Sequence, residues 1–506
     1  MVSYDSIFWK SGRRRKMFKR FACLGLMAVI LFVGSCGKTP VDTDPGLSEP
    51  TVSDSATTSV TETPDTEAVI PPLREKNMDG FTLRFSNIDQ SFLNWANLTI
   101  LTEQDGTSVN DAIYQRNIEL EDTYNCKLVE TTQPDFNAEY ILEFVAAGSD
   151  DFDICMVYDT RAVQLLGYVH DWNQLSDIDI TRPWWNPDAT GVFVVDGKLY
   201  FTSGDMTLGY LSRAMSYLVN RDLYENLGLK EDLFSTVKEG KWTQDLFLSL
   251  AAQSVMDTDG DGSYTPSDTY GIFGHPRAFL LSLLGGAGVR YVGSDEDGHF
   301  VFQMSKNEKA VNLLQKMIQF MSANPNLYYN ESLIPNATIP DTLFSTGQAL
   351  FHVQAFLHNV VNLRDMENNF SILPLPKLDE NQSSYYAPVY GSTLAVIPKT
   401  VLSDRYDNIG LLVEAMSRKT YENIIPQYKD VLLKHKTARD EESADMLDII
   451  FDSITVDPGP MLWIGDIVDQ ITLDLFMGRN DAVVSYLESK TAVFQGLLDN
   501  FNEAAS

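Results

Sequence analysis

Asp257, Asp259 and Asp261 alternate in the stretch MDTDGDGSYTPSD, Met256 to Asp268. Carboxylates spaced this way in one loop can converge on a hard cation. Calcium takes roughly six to eight oxygens, and a loop supplies them from positions 1, 3, 5, 7, 9 and 12. Counted from Asp257, those positions are Asp257, Asp259, Asp261, the Ser263 carbonyl, Thr265 through water, and Asp268, with Gly262 at the sharp turn. Asp268 is one methylene shorter than the glutamate usual at the last position, which predicts a looser site. The flanks define its kind. KWTQDLFLSLAAQSV ahead of the loop reads as an amphipathic helix capped by Thr243, whereas Gly271, Gly274 and Pro276 break any immediate second helix. A calcium sensor reorients a pair of helices. This loop predicts a single structural calcium clip.

Other chemistry is hard to place. HExxH, the Gly-x-Ser-x-Gly elbow, the P-loop and CxxC are all absent. The histidines are scattered at 170, 275, 299, 352, 358 and 435 without metal-ligand spacing. GGAGVRYVG near Gly285 lacks dinucleotide-binding spacing and reads as a turn. Glycoside hydrolysis needs a pair of carboxylates flanking one bond, and nothing singles out such a pair. The expectation is a protein that is not an enzyme.

The chain has 506 residues, is 44% hydrophobic and 21% charged, and carries a net charge of -32. The first two values are those of a globular protein with a proper core. The third argues against nucleic acid or anionic lipid as a partner, because both need positive surface. The first residues are a separate object: a basic stretch from Arg13 to Arg20, then an apolar run from Phe21 to Val33. That run is too short to span a bilayer and fits a secretory signal. Val33-Gly34-Ser35-Cys36 resembles the lipobox of bacterial lipoproteins, which implies cleavage before Cys36 and a diacylglycerol on its thiol. The alternative is an ordinary secretory signal containing a cysteine. Residues 1–35 are thus the expected signal. Residues 36–78, rich in Thr, Ser, Pro, Asp and Glu, are an expected disordered tether on the outer face of the cell membrane. Cys126 and Cys155 lie in apolar, strand-like runs and read as buried core thiols, although an oxidising exterior would permit a bridge.

The elements follow from periodicity. GFTLRFSN, CKLVETT and FDICMVYD read as strands, with helices over SVNDAIYQRNIELEDTY and AEYILEFVAAG between them. Strands alternating with helices of this length predict βαβ units and a parallel sheet. GKLYFTSG, QALFHV, FSILPLP and STLAVIPKT read as further strands among many helices, and the chain ends helical.

Several phrases together resemble the extracellular solute-binding proteins of ABC importers, the family that includes maltose-binding protein: FDICMVYDTRAVQLLGYVHDWNQL, RPWWNP, DGKLYFTSGD, YLVNRDLYENLGL, GKWTQDLFLSLAAQ, FSTGQALFHVQ, FSILPLPKLDENQSSYY and ESADMLDIIFDSI. The resemblance runs from about Asp79 to the C-terminus. It implies an α/β, two-lobed periplasmic-binding-protein-like fold with a ligand cleft between lobes and a multi-pass hinge. The N-lobe would take 79–205 plus 376–424, and the C-lobe 206–375 plus 425–506. Crossings would fall near YFTSGDMTLGY, ILPLPK and YENIIPQY. The implied function is a monomeric, lipid-anchored receptor that captures a solute, an oligosaccharide by preference, and delivers it to ABC permease subunits. A secreted carbohydrate-active enzyme or a surface adhesin with a structural calcium site is the alternative.

Carried over by position, Asp159 would accept sugar hydroxyl protons, with Tyr158 beside it. Arg213 would be a charged contact on the crossing segment, where the family often has an acid. Trp463 would be a stacking aromatic at the start of a late helix, and Phe356 falls near another aromatic position. Three more come from the residues themselves. Trp95 follows the first strand, where a βα loop faces a cleft, and His275 and Tyr390 each sit near glycine at strand-like segments. Trp184 and Trp185 read as packing.

Overall fold

Alternating apolar residues set the first strand, β1, Phe81–Ile88, and both of its neighbours are parallel to it: β2, Cys126–Gln133, and β3, Ile154–Tyr158. The computed structural model describes residues 72–89, 99–133, 138–331, 343–363, 365–434 and 441–506. The expected signal, Cys36 and most of the tether lie outside these residues, as does Trp95. The end of the expected tether is anchored rather than loose. Arg74 pairs with Asp177 and Asp407, Lys76 pairs with Asp407, and Met78 is buried.

The helix Ser108–Tyr124 connects β1 to β2 and buries Ile113, Leu120 and Tyr124. It stops at Asn125, which adopts the left-handed conformation (φ 49°) that asparagine tolerates. The helix Ala138–Ala146 leads to β3, whose five residues are all buried, as expected for a central parallel strand. Cys126 and Cys155 are buried free thiols on β2 and β3. The first sheet has the order β14-β3-β1-β2, and β14, Thr393–Val396, returns from far along the chain to pair antiparallel with β3.

Between them lie the short hairpin β4, Val194–Val195, and β5, Lys198–Leu199, then β6, Met215–Asn220, and β7, Tyr270–Gly274. A second hairpin joins β8, Val292–Ser294, to β9, Phe300–Phe302. They are followed by β10, Tyr328–Asn330, β11, Ala349–Phe356, β12, Phe370–Leu373, and β13, Ala387–Val389. The second sheet has the order β10-β7-β11-β6-β12, with β6 antiparallel to both neighbours. Its core is aromatic: Phe247 packs on Tyr217, Trp242, Phe279 and Phe351. The helix Pro276–Gly286 buries nine of its eleven residues and covers the sheet. Among the described residues no helix is long and apolar enough to cross a membrane.

The chain passes between the sheets along 200–214 and returns along β13 into β14. ILPLPK, residues 372–377, was expected near such a crossing, but Ile372 and Leu373 belong to β12 and hydrogen bonds tie 374–377 to the second sheet's surroundings. Trp242 Nε1 donates to Pro374 O (2.8 Å), Lys377 N donates to Trp242 O (3.0 Å), and Gln244 N donates to Lys377 O (2.8 Å). The return falls instead at 387–392, where Val389 pairs with Ala214 and with Val456 of β15, Ile454–Val456. YENIIPQY, expected to bend as a hinge, lies in a continuous helical run. A π-turn at Thr420–Ile424 joins the helix Tyr406–Lys419 to Ile425–Lys434. Pro426 follows just after the π-turn, whose locally widened ladder accommodates the missing N–H within the run. GKLYFTSG, expected to be a full strand, makes only β5 and a bridge from Thr202 to Ala395.

Candidate functional site

Asp159 follows the last residue of β3, so the strand itself aims it at the end of the sheet. Its carboxylate accepts from Thr160 N (2.7 Å) and Ser392 N (2.9 Å), while its own N donates to Ser392 O (3.0 Å). The turn after β3 is thereby stapled to the turn before β14. Complete burial pushes the Asp159 carboxyl up to about 7, against the opposing pull of these N–H donors and of Arg213.

Arg213, 2% exposed, reaches the same turn from the crossing segment: its Nε donates to Tyr390 O (3.1 Å). Its Cζ lies 3.5 Å from the centroid of the Phe356 ring, in cation–π contact. Phe356, the last residue of β11, meets Tyr390 edge-on at 5.2 Å and His358 face-on at 5.8 Å. Gly391 makes this convergence possible. It adopts φ +68°, and a Cβ there would lie 2.8 Å from Arg213 Nη2 and 3.2 Å from Tyr158 Oη. Tyr158, Asp159, Arg213, Phe356 and Tyr390 therefore come together where the chain crosses between the sheets.

His275 and Trp463 have other partners. His275 caps the helix Pro276–Gly286, its Nδ1 accepting from Arg277 N (3.2 Å), and burial lowers its pKa to about 3. Trp463 is 5% exposed and packs edge-on against Phe300 (5.7 Å) and Phe501 (5.5 Å), so its faces are occupied by protein. Trp184 and Trp185 are buried, and both indole N–H groups donate to Glu414 (2.9 and 2.7 Å).

Sequence reading did not single out Gly391, His358 or Ser392. Only the glycine before a strand hinted at a special backbone. It also passed over the buried polar residues Thr202, Ser203, Asp205, Thr207 and Tyr210 of the crossing segment. A run of polar residues inside an otherwise apolar phrase was the available signal.

The acidic loop turns at Gly262 as its spacing predicts, but Asp268, expected as its last ligand, does not gather with the other three acids. It leads from the helix Gln244–Gln253 directly into β7, and Met256 and Thr269 close its neck with paired hydrogen bonds of 3.0 Å. Gly260 and Gly262 take φ of 72° and 83°. Asp257 accepts from Gly260 N and Gly262 N (both 2.8 Å), which wraps the loop around that side chain. Carboxylate oxygens of Asp257, Asp259 and Asp261 all lie within 4.8 Å of one another, a set that fits one hard cation. Asp268 is buried and turned onto the loop backbone, accepting from Thr258 N (2.8 Å) and Thr265 N (2.7 Å). The Thr265 carbonyl accepts from Tyr270 Oη (2.9 Å).

No protein-family model matches the chain, and no curated protein does. Solved structures do match. UspC of M. tuberculosis aligns with a TM-score of 0.55 at 14% identity, over 84% of this chain and all of that one. The cyclic alpha-maltosyl-1,6-maltose binding protein of Arthrobacter globiformis aligns at 0.51 and 12%, over 83% of this chain and 100% of that one. The GacH receptor of Streptomyces glaucescens, studied with acarbose, aligns at 0.51 and 11%, over 83% and 99%. At these identities the likeness is one of fold. The chain has the two-lobed α/β fold of periplasmic binding proteins.

Proposed function

We propose that this protein is a substrate-binding receptor that captures an oligosaccharide between its lobes and delivers it to an ABC permease. The observation that carries the reading is the convergence of Asp159, Arg213, Phe356 and Tyr390 at the crossing between the sheets. The cluster gathers an acid, a guanidinium and aromatic rings, the side-chain types that read hydroxyls and pyranose faces, packed on one another in the free protein so that a solute must part them to use them. The matching maltosyl-maltose binding protein and the acarbose receptor support the same class of solute. No catalytic step is assigned to the chain. Its work is capture, with closure driven by contacts that the solute makes only when both lobes reach it.

In this reading Cys36 carries the lipid, the acidic tether lets the receptor stand off the outer face of the membrane, and the protein acts as a monomer. The lobes take 79–205 and 206–375, with the return crossing at 387–392. Calcium at Asp257, Asp259 and Asp261, completed by Ser263 and by Thr265 through water, is a structural clip on the second sheet's side, with Asp268 holding the loop backbone instead of the ion.

The test is a thermal-shift screen with neutral oligosaccharides, anionic oligosaccharides and peptides. A neutral oligosaccharide is expected to raise the melting midpoint in a saturable way with no product formed. A shift by a peptide alone, or turnover of a glycan, would overturn the receptor reading.

A further inference from the structure

The crossing segment carries a second set of polar groups that the cluster above does not use. Its backbone is braced from several sides. Thr202 pairs with Ala395, Asp205 N donates to Trp184 O (2.9 Å), and Arg116 Nη1 donates to Met206 O (3.0 Å). Gly204 lies against Trp185, whose Cε3 is 2.3 Å from where a Cβ would be. The segment is therefore held in one shape from within the protein.

Its side chains are not satisfied to match. Asp205 is 5% exposed, and among the described residues its carboxyl makes no hydrogen bond or ion pair; burial alone acts on it and holds it protonated well above the usual carboxylate range. Tyr210 is 3% exposed and among the described residues its hydroxyl has no hydrogen-bond partner, although it lies within electrostatic reach of both Asp205 and Asp188. Ser203 Oγ and Thr202 Oγ1 are likewise buried without partners among the described residues. Burying polar groups unpaired costs about 1–3 kcal/mol each. Folded proteins keep few of them, and those kept call for an explanation.

We infer that Asp205 and Tyr210, with Ser203 two residues before, form a hydroxyl-reading subsite for the solute. A solute hydroxyl donates to a carboxyl oxygen of Asp205 and accepts from the Tyr210 O–H. The inference rests on the receptor reading above and assigns to it residues outside the Asp159–Arg213 cluster. A neutral hydroxyl is the matching chemistry because burial raises the Asp205 pKa and opposes its charged form. An ammonium would require the acid to ionise where burial opposes it.

The test compares wild type with Asp205→Ala and Tyr210→Phe. Each is melted without solute and titrated calorimetrically with maltotetraose, cellotetraose, xylotetraose and a glucosamine tetramer. Both variants are expected to melt at or above the wild-type midpoint, because Tyr210→Phe removes a buried hydroxyl without a partner among the described residues and Asp205→Ala removes a carboxyl whose charged form burial opposes. Their affinity for the neutral tetrasaccharide that wild type binds is expected to fall about tenfold or more. A lowered midpoint in both variants would show that the groups are already satisfied in the free protein, and would overturn the inference. Unchanged affinity, or a wild-type preference for the glucosamine tetramer, would do so as well. If wild type binds none of the sugars, the receptor reading fails, and melting alone judges the subsite. A raised midpoint then still marks the pair as held for a ligand, and a lowered one does not.

Discussion

Gly391 concentrates the site's geometry in one residue. A methyl group there meets Arg213 and Tyr158 and has to adopt a left-handed backbone, so Gly391→Ala should lower stability by about 1–2 kcal/mol. Because the displaced atoms belong to Arg213, the same variant should weaken solute binding. Unfolding in urea and calorimetric titration measure the two effects; unchanged affinity would place Arg213 outside the solute's reach. His352 gives a second prediction at this scale. It is 1% exposed on β11, stacked between Phe344 and Phe273, with neither ring nitrogen bonded, and burial lowers its pKa from 6.5 to about 4. A lowered histidine pKa means that the unfolded chain takes up the proton first. Its contribution is therefore intact above pH 6.5 and lost as pH falls toward about 4. His352→Phe should flatten the stability profile across that window, saving about 1–3 kcal/mol at its acid end. An unchanged slope in urea titrations at pH 7 and pH 5 would show that other groups set the acid limit.

Elements differ in how far the sequence reveals them. The loop at Asp257–Asp268 is local, so spacing alone predicted its turn at Gly262 and the absence of an immediate second helix; its neck and the turning of Asp268 onto the backbone were not predicted. With its acids gathered, chelator should lower the melting midpoint, and Asp259→Ala should remove that sensitivity; identical melting with and without chelator would exclude calcium. The strands β1, β2 and β3 and the helices joining them were equally legible, because apolar periodicity reports burial directly. Trp463 shows where that legibility stops. Its position at a late helix suggested an open aromatic face, but Phe300 and Phe501 occupy it, and nothing near Trp463 in the chain announces them. The meeting of Asp159 with Ser392 likewise depends on β14 choosing β3 as its neighbour. The proline of YENIIPQY suggested a break, yet a π-turn absorbs it within a continuous helical run.

On the scale of the whole molecule, the two sheets are joined by more than the crossing strands. The turn of the β4–β5 hairpin lies on the turn of β8–β9: Asp196 N donates to Asp297 O (3.0 Å), and His299 reaches Asp196 (3.2 Å) and Asp295 (3.4 Å). Lys198 and Tyr200 reach the carbonyls at the end of the helix Val483–Ala505, and Phe201 packs against Phe501. The carboxylates of Asp196, Asp295 and Asp297 raise the His299 pKa above 6.5. A raised histidine pKa places the ionic contact below that value and loses it as pH rises through the shifted one. Amide exchange at Asp196, corrected for its intrinsic rate, should be slower at pH 6 than at pH 8.5, and His299→Gln should erase the difference. Equal protection at both values would mean that the backbone bond holds the hairpins without the imidazole.

The indole pair that shares the Glu414 carboxylate has an optical consequence. Trp185 lies on Gly204, one residue from Asp205, and its N–H points at a buried carboxyl, so its emission reports the local field without any added label. A solute hydroxyl seated at Asp205, as inferred above, would displace water and reorient dipoles beside that ring, and a Trp185→Phe variant isolates the signal. On that inference the protein would carry its own fluorescent gauge of occupancy, fixed by the same packing that gives the crossing segment its shape.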